Sequence, residues 1–284
     1  MKRAVIRAAC LAILAFPAGL ATHAAAQDGP PRRVVSMNLC TDEMAMLIAA
    51  PGQLHSVSYL AADAGSSALA SEAGGYAVNH GLAEEIFLMQ PDMVLAGTYT
   101  TRATVGLLRK LGIRVEEFEP ENSFDDIRAN LKRMGDLLGQ PERAASLAAE
   151  LDSELAALKP GEGPQKTVAA WYANSYTSGS GTLMDDIIRK SGLDNIAARL
   201  GYTGTARLPL EFLVLAKPDM LADGGSGEKG AALAEENFVH PAYRALARES
   251  IHTDIPAKYT ICGAPFTAEA VRLLRQAAER PKPQ

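Results

Sequence analysis

Glu84-Glu85-Ile86-Phe87-Leu88-Met89-Gln90-Pro91-Asp92-Met93 returns 127 residues later as Glu211-Phe212-Leu213-Val214-Leu215-Ala216-Lys217-Pro218-Asp219-Met220, with five of the ten positions identical. Each copy reads as a short helix stopped before a proline and feeding a buried strand, because the residue before proline is driven out of the helical region. Helix–Pro-Asp–strand junctions are common in α/β proteins, so shared mechanics is one reading of the match. A duplicated lobe is the other, and the offset, about half the chain, favours it.

Outward from the first copy, Arg33 to Met37 reads as a short buried strand, and Thr41 or Asp42 as the cap of a helix through Met44, Leu47 and Ile48. Leu54 to Ser58 is a second strand, followed by an irregular polar stretch from Ala62 to Asn79. Then come a helix (Ala83 to Met89), a strand (Met93 to Ala96), a helix (Thr101 to Leu111) and a strand (Val115 to Phe118). Such alternation predicts a mostly parallel sheet covered on both faces. A helical stretch follows. Phe124 to Leu138 stops at Gly139, and Pro141 opens a helix in which Ala144, Leu147, Ala148, Leu151, Leu155 and Leu158 form one apolar stripe along a rod of roughly 25 Å. Lys159 to Pro164 breaks the pattern and reads as a boundary.

Alternation then resumes with a strand (Thr167 to Trp171), two helices (Leu183 to Ser191, Leu210 to Ala216) and a strand (Met220 to Asp223), and a helix from Thr267 to Arg280 closes the chain. The expected fold is α/β. It has two lobes with mostly parallel sheets, the first about 33–140 and the second about 165–284, bridged by a connector helix over 141–158.

Composition agrees with a globular chain: 48% hydrophobic and 21% charged residues exclude intrinsic disorder. Residues 1–26 have a basic start (Lys2, Arg3, Arg7), an apolar run from Ala8 to Leu20, and Ala24-Ala25-Ala26 as a cleavage site, the order of a secretory signal peptide. A retained anchor is the competing reading. Cleavage near Ala26 takes the formal charge from −5 to −8, which excludes a chain that grips nucleic acid through a general field. Two cysteines remain, Cys40 and Cys262. On an exported chain they permit a disulfide between distant parts of the fold; two separate buried thiols are the equal alternative.

Catalytic motifs are scarce. Gly-x-Ser-x-Gly, a Walker-type phosphate loop and His-Glu-x-x-His are all missing from the sequence. Gly225-Ser226-Gly227-Glu228-Lys229-Gly230 fits Gly-x-Gly-x-x-Gly but comes late in the second lobe, where a surface loop accounts for it. His55, His80, His240 and His252 are scattered without ligand-like spacing, and Asp125-Asp126 and Asp185-Asp186 sit at helix starts, where the dipole accounts for them.

Polar and aromatic residues instead gather just after strands, where open parallel sheets bind ligands: Asn38 to Thr41, Ser58 to Leu60, Thr98 to Arg102, Trp171 to Tyr176 and Cys262 to Phe266. The one Trp and four of the eight Tyr fall there. Such rings hold large flat ligands through apolar area with a polar edge, although each ring taken singly could equally pack under its loop.

From Arg33 to Arg280 the chain resembles the class III periplasmic substrate-binding proteins of ABC importers, which include binders of cobalamin, ferric siderophores and haem. The carriers are Arg33-Val34-Val35-Ser36-Met37-Asn38, the two Glu…Pro-Asp-Met segments, the connector helix and the closing helix. The resemblance implies a binding domain over 33–282, Rossmann-like lobes joined by one rigid helix, and a single ligand in the cleft between them. It implies a periplasmic protein, acting as a monomer, without catalysis, resident cofactor or bound metal. It also implies that Glu84 and Glu211, at matching points of the two lobes, dock onto basic pockets of the importer's membrane subunits.

Tyr59, Tyr99, Arg102, Trp171, Tyr172, Tyr176, Arg207 and Phe266 are the expected ligand contacts. Arg102 and Arg207 suit an anionic ferric siderophore. The rings suit a corrinoid or haem, with Tyr99 placed to approach a haem iron. The cleft loops lack the His and acid clusters that bare Zn²⁺ or Mn²⁺ would require. A disulfide between Cys40 and Cys262 would tie the lobes beside the cleft. The reading from another class is an exported α/β enzyme using Asp42, Asp223 and Arg207 at strand ends, and a surface interaction module without a small ligand is a third.

Overall fold

The computed structural model describes residues 29–158, 164–223 and 236–283. The signal-peptide segment and the glycine-rich Gly225–Gly230 stretch lie outside them.

In the first lobe, β1 (Val34–Ser36), α1 (Leu39–Ile48), β2 (Leu54–Ser58), α2 (Ala70–Ala73), β3 (Ala77–Asn79), α3 (Ala83–Leu88), β4 (Met93–Gly97), α4 (Arg102–Lys110) and β5 (Val115–Phe118) build a five-stranded parallel sheet in the order β3-β2-β1-β4-β5. Two helices follow, α5 (Phe124–Leu138) and α6 (Pro141–Ala157). The second lobe contains β6 (Thr167–Ala170), β7 (Tyr176–Ser178), α7 (Leu183–Lys190), β8 (Asp194–Asn195), α8 (Ile196–Arg199), β9 (Thr205–Arg207), α9 (Leu210–Ala216), β10 (Met220–Asp223), α10 (Glu236–Val239), α11 (Pro241–Glu249), β11 (Ile251–Asp254) and α12 (Ala268–Ala278). Its parallel sheet runs β11-β10-β6-β8, and β7 pairs with β9 in a separate antiparallel ribbon.

The strand order β5-β4-β1-β2 in one lobe therefore matches β11-β10-β6-β8 in the other. The repeated decapeptide forms α3–β4 in the first lobe and α9–β10 in the second. Its stops are alike: Gln90 (φ 51°) and Lys217 (φ 45°) both end their helices in the left-handed region. Its buried positions are alike, Ile86 with Leu213 and Met93 with Met220. Its aspartates also do the same work. The Asp92 carboxylate accepts the amides of Arg32 (2.6 Å) and Arg33 (3.1 Å), just before β1. The Asp219 carboxylate accepts the amide (2.7 Å) and hydroxyl (2.8 Å) of Thr167, which opens β6. Equal strand order goes beyond what the helix–Pro-Asp–strand junction requires and agrees with the duplicated-lobe reading.

The helical pair forms as its termini dictate. Ser123 accepts the Asp126 amide (3.1 Å), Gly139 ends α5 at φ 67°, and Pro141 starts α6. Phe124, Ile127, Leu131, Met134 and Leu138 put one fully buried stripe of α5 into a core that continues from Val34 and Met93 of the first lobe to Ile187, Met220 and Val271 of the second. Gly135 is obligatory where α5 meets α6, since a Cβ there would lie 2.4 Å from that of Ala144.

Two expectations are corrected. The N-cap of α1 is Asn38, whose Oδ1 accepts the amides of Cys40 (3.0 Å) and Thr41 (3.4 Å). Thr41 and Asp42 are already helical and buried, so they cannot act as its cap. The stretch from Ala62 to Asn79 is not wholly irregular. It contains α2 and the edge strand β3, which is held by Asn79 donating to Ser56 Oγ (2.9 Å) and Ser36 O (2.7 Å).

Candidate functional site

In the first lobe the chain reverses direction of sheet growth between β1 and β4, the place where open α/β sheets leave a crevice. A small cavity of about 60 Å³ lies there, lined by Asn38, Cys40, Gly97, Tyr99, Phe118 and Glu121. Second-lobe residues close on the same place. Cys40 and Cys262 are disulfide-bonded, Cα to Cα 5.0 Å, across a separation of 222 residues. The next residue, Gly263, donates its amide to Glu121 Oε2 (3.2 Å), and Asn130 donates to Glu121 Oε1 (2.6 Å). Burial pushes the Glu121 carboxyl above its ordinary range, more than these bonds pull it down. Asp186 of α7 reaches the same junction, accepting the Phe124 amide at 2.9 Å. The helix dipole is therefore only part of the reason for an acid at that position.

Seven of the eight expected contact residues divide into three sets. Tyr59, Tyr99 and Arg102 are exposed at strand ends of the first lobe, Tyr99 at 86%. In the second lobe Tyr176 and Arg207 face each other across the β7–β9 ribbon, with the guanidinium 5.3 Å from the ring centroid. Tyr172 and Phe266 are half-buried, and burial raises the Tyr172 phenol above its ordinary value.

Trp171 is a correction. It is 1% exposed, its indole N–H donates to Leu208 O (2.9 Å), and its ring stacks on Tyr243 (5.1 Å) with Phe238 edge-on (5.5 Å). It is a core residue and offers no face to a ligand. Asp42 is a second: it is fully buried and bonded to Ser58, so it cannot serve as a strand-end catalytic acid.

Sequence reasoning overlooked His80. Its ring stacks on Tyr59 (centroids 5.6 Å, 18° between planes), and its Nδ1 lies 3.3 Å from Glu85 Oε1. The strand-end rule would have found it had β3, which it follows, been recognised. The pair Asp42 and Glu43 was likewise missed. Burial pushes Asp42 up to about 6 and Glu43 up to about 7, despite the bonds from Ser58, Ser67 and Ala68 that oppose the shift. Among the described residues no group of three or more His, Cys, Asp or Glu could hold a metal ion. No described helix is long and apolar enough to cross a membrane.

Residues 34–245 match the family described as Periplasmic binding protein. A curated relative from Halobacterium salinarum (strain R1), a cobalamin-binding protein, is 30% identical over 156 residues. That match covers 53% of this chain and 42% of the relative, so the aligned part is less than half the relative's length. Among solved structures, the periplasmic haem-binding protein HutB of Vibrio cholerae superposes with a TM-score of 0.70 at 19% identity, covering 87% of this chain and 99% of that one. The periplasmic vitamin B12-binding protein BtuF of Vibrio cholerae superposes at 0.63 with 16% identity, covering 88% and 99%.

Proposed function

The chain belongs to the periplasmic binding protein family, and on that premise we propose that it captures a large metal chelate, a corrinoid or an iron chelate such as haem or a ferric siderophore, for an ABC importer. The observation that carries this reading is the set of exposed rings at strand ends on both lobes, Tyr59 with His80, Tyr99, and Tyr176 under Arg207. Flat polarisable faces with a cationic edge suit a macrocycle bearing carboxylates or amides. The cobalamin-binding relative supports a corrinoid as one of these. The chain works in the periplasm after cleavage near Ala26, as a monomer, with no catalytic step.

Delivery requires a membrane partner. Glu84 and Glu211 are exposed in the first turns of α3 and α9, at matching points of the repeat. Their placement supports docking of one acidic knob per lobe onto basic pockets of two importer subunits.

The test is a calorimetric titration of the purified protein with cyanocobalamin, haemin and a ferric hydroxamate. Saturable 1:1 binding of one of them is expected; binding of none overturns the ligand reading. For docking, Glu84→Arg combined with Glu211→Arg should abolish uptake while leaving the titration unchanged, and undiminished uptake refutes that role.

A further inference from the structure

The segment between β2 and α2 carries Tyr59 and is built mostly from small residues, four alanines, two serines and a glycine among its eleven positions. Its internal bonds are local. Asp63 Oδ1 accepts the Gly65 amide (3.0 Å), and its backbone carbonyl accepts the amides of Ser66 (3.0 Å) and Ser67 (2.7 Å). Ala61 and Ser67 are its only buried side chains between residues 59 and 68. So little apolar anchorage would leave the segment free to move were nothing else holding it.

Two consecutive residues of α1 hold it at its ends. Asp42 Oδ2 accepts both the amide (3.1 Å) and the hydroxyl (2.5 Å) of Ser58, the residue before Tyr59. Glu43 Oε1 accepts the Ser67 hydroxyl (3.1 Å) and the Ala68 amide (2.7 Å). Both acids are fully buried. Burying two adjacent carboxyls is costly for a fold. Apolar residues would make a cheaper core there, but they could not hold the two ends of the segment by hydrogen bonds.

We propose that Asp42 and Glu43 are positioning residues for ligand recognition, clamping the two ends of the 59–67 segment and so fixing where Tyr59 presents its ring. This rests on the reading of Tyr59 as a ligand contact. The clamp belongs to the same helical turns as Cys40, so the segment is also referenced to the second lobe through the Cys40–Cys262 bond.

The test has two arms. Amide hydrogen exchange on the ligand-free protein should show Glu43→Ala raising exchange over residues 59–69 by about tenfold or more, the size expected for losing bonds to a buried carboxyl. Exchange in the β6–β10 sheet should not change. Glu43→Gln keeps an acceptor oxygen and should restore protection to within about threefold of wild type. In the second arm, affinity for cyanocobalamin or haemin, whichever the wild type binds, should fall about tenfold in Glu43→Ala and recover in Glu43→Gln.

Unchanged exchange over 59–69 in Glu43→Ala overturns the clamp, and loosened exchange with unchanged affinity overturns its role in recognition. If Glu43→Ala does not fold, Ser58→Ala with Ser67→Ala removes the same bonds from the segment's side and is read in the same way. A wild type that binds neither probe counts against the ligand reading, and the exchange arm still decides the clamp.

Discussion

Gly263 lies so close to Glu121 that a Cβ on it would stand 2.4 Å from the Glu121 Cβ and 2.8 Å from Ile127 Cγ1. The atoms it would strike are the inner parts of packed side chains, so nothing at this junction of the lobes can swing aside. Gly263→Ala must push the lobes apart locally and stretch the 3.2 Å bond from the Gly263 amide to Glu121. We expect a loss of about 1–3 kcal/mol in unfolding free energy by urea denaturation, the range for overpacking a close-packed contact. A loss below a few tenths would mean that the junction yields easily.

The disulfide beside that contact closes 222 residues of chain. Restricting so long a segment in the unfolded state stabilises a fold by about 2–5 kcal/mol. Cys40→Ser with Cys262→Ser should therefore lower the melting temperature. Reductant should lower that of the wild type towards the variant's and leave the variant unmoved. Equal melting of oxidised and reduced wild type contradicts this.

The legible parts of this fold are those set by local chemistry. Pro91 and Pro218 stop two helices, Gly139 and Pro141 punctuate two more, and the repeat could be read because Asp92 and Asp219 perform one task twice. The cap of α1 was misread because Asn38, Thr41 and Asp42 are all competent caps, and only the partners Ser36 and Ser58 decide among them. β3 is three residues long and has two exposed positions, so it carries no apolar pattern. His80 was lost with it. Trp171 looked like a ligand ring because it ends a strand, yet Phe238 and Tyr243, far along the chain, enclose it. The clamp was invisible for the same reason: Asp42 reads as a helix cap or a strand-end acid until the segment from Ser58 to Ala68 folds over it and Glu43.

Those acids give the protein a pH signature. Asp42 is raised from 3.8 to about 6 and Glu43 from 4.5 to about 7, mainly by burial. A carboxyl with a raised folded pKa is protonated in the native state while already ionised in the unfolded chain. The native state then binds more protons, and stability falls as pH rises through that interval. Both contributions are fully present below about pH 4 and are lost by about pH 7. Glu43→Gln removes one of them, so its stability relative to wild type should rise between pH 4.5 and 7 by up to a few kcal/mol and level off above. Paired urea titrations across pH 4.5–8 measure the difference; a flat difference contradicts burial as the source.

Trp171 separates core from site. Its indole N–H bond to Leu208 O and its packing on Tyr243 and Phe238 are lost or reduced in Trp171→Phe, which keeps a ring but not the donor. The Leu208 carbonyl is left unpaired in a buried place, and a slot remains beside the smaller ring. Together these cost about 2–4 kcal/mol. Because Trp171 is 1% exposed, ligand affinity measured where the variant is fully folded should stay within about threefold of wild type. Tyr99→Ala should do the reverse, since a ring 86% exposed contributes little to folding. Affinity should fall with stability held to within about 0.5 kcal/mol. A Trp171→Phe protein that is stable but fails to bind would return Trp171 to the ligand site, and would require the ring to leave its pocket when the ligand arrives.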